Sequence, residues 1–195
     1  MNASVAKAQQ RQHFHDTRQE ALPKVEARIV EQVAITLLRN SQAEVQGTHI
    51  GLYWPLRGEP DLRPLRQRLD MAFALPACGN QGDLHYHDWG NIRLRKDHCG
   101  IPAPLDERRL PAESIRLLLI PCLAVDKGGI RLGYGGGFYD RLLSNNKWGN
   151  IPALAVLPQA CVADHALPRD SWDVPLTGWI TENGQFAHPE QGWCQ

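Results

Sequence analysis

Apolar residues recur at every fourth position at Val25, Ile29, Val33 and Leu37. That spacing lines one face of a helix and predicts that the face is buried. Pro23 stands just before the run, where proline suits a helix start, so the more polar stretch 5–21 reads as a separate helix. Within it Lys7 and Arg11 are four apart and project from one face; on spacing alone they are two solvated charges. From Thr48 the pattern becomes one of short apolar runs closed by proline. Residues 50–54, ended by Pro55, and 72–75, stopped by Pro76, read as buried strands. Between them Leu62, Leu65 and Leu69 predict a helix over 61–69. The run 115–120 (Ile-Arg-Leu-Leu-Leu-Ile) is the strongest strand, of the kind found at the centre of a sheet covered on both faces. A helix beginning near Phe138 and strands at 153–157 and 178–181 follow. The stretch 84–95 is irregular and aromatic and reads as a strand pair or an excursion from the main sheet, and His85, His87 and Asp88 within it fit a surface loop better than a metal site. Strand, helix, strand is the grammar of a parallel sheet. With no repeat and no linker, the expected architecture is a single three-layer α/β domain over residues 1–195, its sheet mainly parallel and flanked by helices.

Charge and composition narrow the function. Lys plus Arg number 21 and Asp plus Glu 21, so net charge is zero. That balance argues against broad binding to nucleic acid or anionic membrane. The longest apolar stretches fall short of a bilayer's thickness, and the N-terminus is too polar for a signal peptide. The expectation is a cytoplasmic protein acting on small molecules, with no obligate protein partner in evidence. The five cysteines are scattered and form no CxxC pair, which predicts reduced, mostly buried thiols.

The chemistry concentrates after the strongest strand, where six glycines fall within residues 128–137. Glycine permits positive φ and lets a phosphate approach the amides with no Cβ in the way. The helix that follows adds free N–H groups and a positive dipole end, and Arg131 a charge-assisted contact. Asp140, in the first helical turn, is placed to hold a magnesium ion. The segment is neither a Walker A loop nor a dinucleotide fingerprint, since Tyr134 and Phe138 stand where those patterns need other residues.

Arg131-Leu132-Gly133-Tyr134-Gly135-Gly136-Gly137-Phe138-Tyr139-Asp140-Arg141 resembles a signature of the 5-formyltetrahydrofolate cyclo-ligase family. The resemblance extends along nearly the whole chain. Lys7 and Arg11 match the family's N-terminal Lys-x-x-x-Arg. Gly58-Glu59-Pro60-Asp61 matches its acidic segment after the first strand. Leu119-Ile120-Pro121 and Asp126 match the approach to the glycine loop. Leu167-Pro168 with Trp172-Asp173-Val174-Pro175-Leu176 matches its second signature, and Thr181-Glu182-Asn183-Gly184 its C-terminal strand end. Departures fall at Gln10, Leu62, Ala103 and Val125.

The resemblance implies a Rossmann-like fold of the sugar-phosphate isomerase and CoA-transferase type. It also implies ATP- and Mg2+-dependent conversion of 5-formyltetrahydrofolate to 5,10-methenyltetrahydrofolate. On that basis Lys7, Arg11 and Arg131, Leu132, Gly133, Tyr134, Gly135, Gly136, Gly137, Phe138 and Tyr139 contact ATP. Asp140 and Asp173 coordinate magnesium. Trp54 and Glu59 hold the folate, with Tyr134 through Phe138 between the two substrates, and Arg131, Tyr134 and Asp140 form the catalytic group. No Ser-His-Asp or Cys-His constellation is evident, as suits a phosphoryl transfer that relies on positioning and charge. The alternative is a non-catalytic folate- or nucleotide-binding relative that kept the pocket.

Overall fold

The structure is a computed structural model and describes residues 3–40 and 47–187. The helices are α1 (Ala3–Asn40), α2 (Leu65–Arg68) and α3 (Phe138–Leu143). The first strands are β1 (His49–Gly51), β2 (Ala72–Cys78), β3 (Leu84–Asp88), β4 (Arg95–Lys96), β5 (Pro102–Ala103) and β6 (Ile115–Pro121). They are followed by β7 (Ala124–Asp126), β8 (Arg131–Leu132), β9 (Ala153–Val156), β10 (Val162–Ala163), β11 (Gly178–Thr181) and β12 (Gly184–Ala187).

The main sheet has the order β12-β11-β9-β6-β1-β2-β3, which places β6 at its centre. The five inner strands are parallel, and the edge strands β12 and β3 run antiparallel to their neighbours. Period-two alternation in β6 feeds two cores. Leu117 and Leu119 pack with Ile29, Val33 and Leu37 of α1 on one face. Leu118 and Ile120 pack on the other with Leu142 and Leu143 of α3 and with the small sheet β10-β7-β8. Gly51 of β1 sits where a Cβ would stand 2.6 Å from a Leu118 methyl and 2.9 Å from the Tyr86 ring, so only glycine lets these three strands close up. Three of the four departures from the family pattern, Leu62, Ala103 and Val125, are fully buried and belong to core packing.

Several boundaries differ from the sequence expectation. Residues 5–37 form one helix, not two, with Pro23 inside α1. Pro23 and Gln19, whose carbonyl loses its amide donor, are both exposed, so solvent can serve that oxygen. Buried Phe14, Arg18 and Leu22 meanwhile hold the upper half in line with the lower. The helix expected over 61–69 shrinks to α2, because Asp61 accepts the Arg63 amide at 3.0 Å and turns the chain before Pro64. Strand β1 is shorter than 50–54, and β2 runs through Pro76 instead of stopping there. In β2, Ala74 accepts the Leu52 amide on the β1 side. Pro76, two residues on, therefore points its nitrogen to the same side, beyond the last residue of β1, where no ladder bond is lost.

His85, His87 and Asp88 lie on β3, not on a surface loop, with His85 paired to Asp83 and His87 Nδ1 2.8 Å from Glu107 O. The thiols divide. Cys122 and Cys161 are free and buried, and burial pushes each up to about 12. Cys78 and Cys99 are joined in a disulfide, against the expectation of reduced cysteines, with Cα atoms 5.9 Å apart. Asp97 makes this approach possible, since its carboxylate accepts the amides of Cys78, Cys99 and Ile101 and folds the 97–101 turn onto the end of β2. Cys194 lies outside the described residues.

Candidate active site

The carboxyl ends of β1, β2 and β6 open into a cavity of about 770 Å³. Tyr53 and Trp54 follow β1, Pro76 and Cys78 end β2, and Pro121 ends β6; all five line it. In open α/β sheets this edge is where ligands bind, because loops diverge there while the strands stay fixed. Every residue to which the resemblance assigns a site role lines this one cavity. These are Lys7, Arg11, Trp54, Glu59, Arg131, Leu132, Gly133, Tyr134, Gly135, Gly136, Gly137, Phe138, Tyr139, Asp140 and Asp173.

One part of the cavity is ionic. Lys7 Nζ lies 2.8 Å from Asp170 Oδ2 and 2.5 Å from Asp173 Oδ2. Partial burial pulls the Lys7 ammonium down, but the two carboxylates outweigh it and hold the group above its ordinary value. Arg131 Nη2 donates to Asp140 Oδ1 at 2.6 Å and Nη1 to Val174 O at 3.3 Å, with only 5% of its side chain exposed. Arg11 Nε donates to Gly133 O at 3.0 Å. The two sequence signatures are therefore neighbours in space, and backbone and carboxylate bonds fix them together. Leu176 N donates to Gly129 O at 2.8 Å, and Asp126 accepts the Leu167 amide at 2.8 Å.

The glycine segment itself turns sharply. Gly135 has φ of 102° and Gly137, which caps α3, has φ of 65°, both in the region that disfavours side chains. A Cβ on Gly135 would face the Arg11 guanidinium at 3.6 Å. Helix α3 is only six residues long, so loop amides and side-chain cations, more than a helix dipole, supply the positive character here.

The other part is a buried carboxylate among rings. Glu59 is 4% exposed, and its Oε2 accepts the Leu56 amide at 2.8 Å. Burial pushes its carboxyl above the usual range, opposed by that amide, by Tyr134 and by the Arg18 charge. The Tyr134 phenol interacts with the carboxylate without completing a hydrogen bond to Oε1, which is left buried and unpaired. Trp54 carries the Arg63 guanidinium 4.6 Å from its ring centre, while Asp61 holds Arg63 through two nitrogens. Burial also raises the phenols of Tyr53, Tyr134 and Tyr139, so all three stay protonated donors at neutral pH.

Sequence reasoning missed Asp170, Trp172 and Arg18. Asp170 shares Lys7 with Asp173 and bonds it through its own amide at 2.7 Å. Trp172 is 66% exposed on the cavity rim. Their signal was present, since both sit within six residues of Leu167 in the second signature, but a turn-rich loop gives no periodicity from which to read direction. Among the described residues no group of three or more His, Cys, Asp or Glu is arranged to hold a metal ion, and no helix is long and apolar enough to cross a membrane.

A profile of the 5-formyltetrahydrofolate cyclo-ligase family matches residues 3–182. The 5-formyltetrahydrofolate cyclo-ligase of Escherichia coli K12 is 31% identical over 174 residues, covering 84% of this chain and 94% of that protein. The protein of the same name from Haemophilus influenzae is 34% identical over 157 residues, covering 75% and 80%. The solution structure of Aquifex aeolicus 5,10-methenyltetrahydrofolate synthetase superposes with a TM-score of 0.75 at 25% identity, over 100% of this chain and 97% of that one. A Mycoplasma pneumoniae 5,10-methenyltetrahydrofolate synthetase shares the fold with a TM-score of 0.65 at 18% identity, over 93% and 99%.

Proposed function

The chain belongs to the 5-formyltetrahydrofolate cyclo-ligase family, and we propose that it converts 5-formyltetrahydrofolate and ATP to 5,10-methenyltetrahydrofolate, ADP and phosphate. The observation that carries the reading is the glycine segment's contact with both parts of one cavity. Its Gly133 carbonyl is held by Arg11 of the cationic part, and its Tyr134 meets Glu59 of the folate part.

A formyl amide oxygen is a poor leaving group. Its attack on the γ-phosphorus releases ADP and leaves an imidate-like phosphate ester. The nitrogen at position 10 then attacks the formyl carbon, the carbon–oxygen bond breaks, and phosphate departs with that oxygen while the nitrogen loses its proton. Such a sequence asks for positioning and charge neutralisation and needs no covalent enzyme nucleophile. Lys7, Arg11 and Arg131 supply fixed cations for the phosphates. The amides of Gly133, Gly135, Gly136 and Gly137 supply donors on residues that carry no side chain of their own. Ionised Glu59 accepts from the donor-rich pterin edge, and Trp54 packs beside the rings.

Asp140 and Asp173 are the residues that would hold Mg2+. Both line the cavity, and the bonds from Arg131, Lys7 and the Asp170 amide go to Asp140 Oδ1 and Asp173 Oδ2, leaving each carboxylate its other oxygen for an ion that is ordinarily held by one or two carboxylates together with substrate phosphates. Held by these residues, the ion would supply charge neutralisation at the phosphates.

Mixing the purified protein with ATP, magnesium and 5-formyltetrahydrofolate should generate the near-ultraviolet absorbance of the methenyl product. A folded protein that binds both substrates and gives no product is the non-catalytic relative instead.

Glu59 predicts a pH dependence. Its carboxyl is raised in the folded protein, so folate affinity should fall away on acidification at a pH above the ordinary carboxylate range. Calorimetric titration with 5-formyltetrahydrofolate should show that acid limb in the wild type and its loss, with most of the affinity, in Glu59→Gln. The stability sign is opposite. A raised folded value means that burying the charge costs stability at neutral pH, and that the cost disappears below the unfolded group's value. Glu59→Gln should therefore melt higher than wild type at neutral pH and equal to it in acid.

A further inference from the structure

Arg18 is the least expected side chain of the interior. It is 1% exposed, and it does not line the cavity. Among the described residues its one well-formed hydrogen bond runs from Nη1 to Cys122 O at 3.2 Å, and its Nε is buried with no partner. A guanidinium so placed loses hydration that one backbone carbonyl does not restore, and an apolar side chain of similar volume would fill the space at lower cost. Packing alone does not account for it.

Its surroundings do. The guanidinium lies 5.4 Å from the centre of the Tyr134 ring. Gly58, next to Glu59 in the chain, has φ of 82°, and its missing Cβ would stand 3.6 Å from Arg18 Nη2. Arg18 thus lies beside Gly58 in the loop that carries Glu59 and over the ring of Tyr134, while the Glu59 and Tyr134 side chains line the cavity. Resting on the folate assignment made above, we propose that Arg18 is the positioning residue of the folate subsite. It adds a full positive charge to the Leu56 amide and the Tyr134 phenol that favour ionised Glu59, and it holds Tyr134 in place, without touching substrate. The groups facing Glu59 are Arg18 from α1, Tyr53 beyond β1, Cys122 beyond β6, Tyr134 from the glycine segment and Tyr139 from α3. Arg18 is the cation among them, and the other four are protonated at neutral pH. Its removal leaves the buried Glu59 charge to the Leu56 amide and the Tyr134 phenol alone, with no full positive charge among these groups.

The test compares Arg18→Met, which keeps the volume, with Arg18→Lys, which keeps the charge. Binding of 5-formyltetrahydrofolate and of ATP is titrated separately in each, across pH. Arg18→Met should weaken folate binding about 10- to 100-fold and leave ATP binding within about twofold. Its acid limb for folate should move to higher pH, and Arg18→Lys should recover part of both losses. Equal weakening of the two ligands, or an unmoved acid limb, overturns the proposal and leaves Arg18 as a structural residue. If Arg18→Met does not fold, Arg18→Gln takes its place: a folate-selective loss with a shifted limb supports the proposal, and wild-type behaviour overturns it. Failure of the wild-type protein to bind folate at all would instead refute the assignment of the cavity.

Discussion

Arg131→Met should lower kcat/KM for ATP by about 100- to 1,000-fold, the usual cost of removing a preorganised donor from developing charge. The arginine is almost wholly enclosed, with its fork fixed between Asp140 on α3 and Val174 O in the 167–176 loop. Its ring-facing side lies 6.0 Å from the centre of Tyr139. It is therefore aimed before any phosphate arrives and loses little freedom on engaging one. Methionine fills the same space, so folate affinity should change far less than ATP turnover. Arg131→Lys should recover little, because a single ammonium cannot reproduce the two-pronged geometry. Steady-state kinetics in each substrate, with folate affinity measured alongside, check this; losses of equal size for ATP and folate would contradict a phosphate role.

Asp126→Ala should destabilise the protein by about 3–5 kcal/mol, since it strips partners from three backbone donors that lie in the interior or at its edge. Asp126 Oδ1 accepts the amides of Gly128 and Ile130 at 2.9 and 3.0 Å, and Oδ2 accepts that of Leu167 at 2.8 Å. One carboxylate thus pins the start of the glycine segment and the start of the second signature. Asp126→Asn is the sharper probe. An amide has one acceptor oxygen, so either the pair on Oδ1 or the Leu167 amide must face an N–H instead, and the variant should be nearly as unstable as Asp126→Ala. Urea unfolding should show a lower midpoint with an unchanged slope. Activity should be lost at temperatures where the variant is still folded.

The strands and the site were legible in the sequence for different reasons. Strand β6 was plain, because a continuous apolar run serves two cores at once and declares its own centrality. Strand β11 was found at its full extent, with Trp179 serving one core and Ile180 the other. The proline signals misled where tertiary context overrode a local rule: Pro23 faces solvent and Pro76 faces past the end of its neighbour, so neither loses a bond that matters. The glycine segment could be read because its composition is itself the chemistry. Asp173 was visible only through the resemblance, Asp170 only as a neighbour of the second signature, and Arg18 not at all. Asp170 sits in a loop whose geometry depends on Lys7 a hundred and sixty-three residues away. Arg18 continues a helix face with ordinary spacing, and nothing in the sequence says that this position points beneath a cavity. The Cys78–Cys99 bond was hidden likewise, since the 97–101 turn that brings the pair together is itself built by Asp97.

The unbroken passage of α1 through Pro23 sets a phase requirement on the protein. Lys7, Arg11, Phe14, Arg18, Leu22, Val25, Ile29, Val33 and Leu37 follow one another at intervals of three or four along a single stripe. The stripe begins as cations at the cavity and ends as the apolar seam against the sheet. Each residue added to or removed from the helix between Arg18 and Ile29 turns one end against the other by about 100° and shifts it by about 1.5 Å. The exposed positions between them, Lys24, Ala27 and Arg28 among others, are therefore free to vary in identity but not in number. Length, not chemistry, is what that solvent-facing stretch contributes to the site.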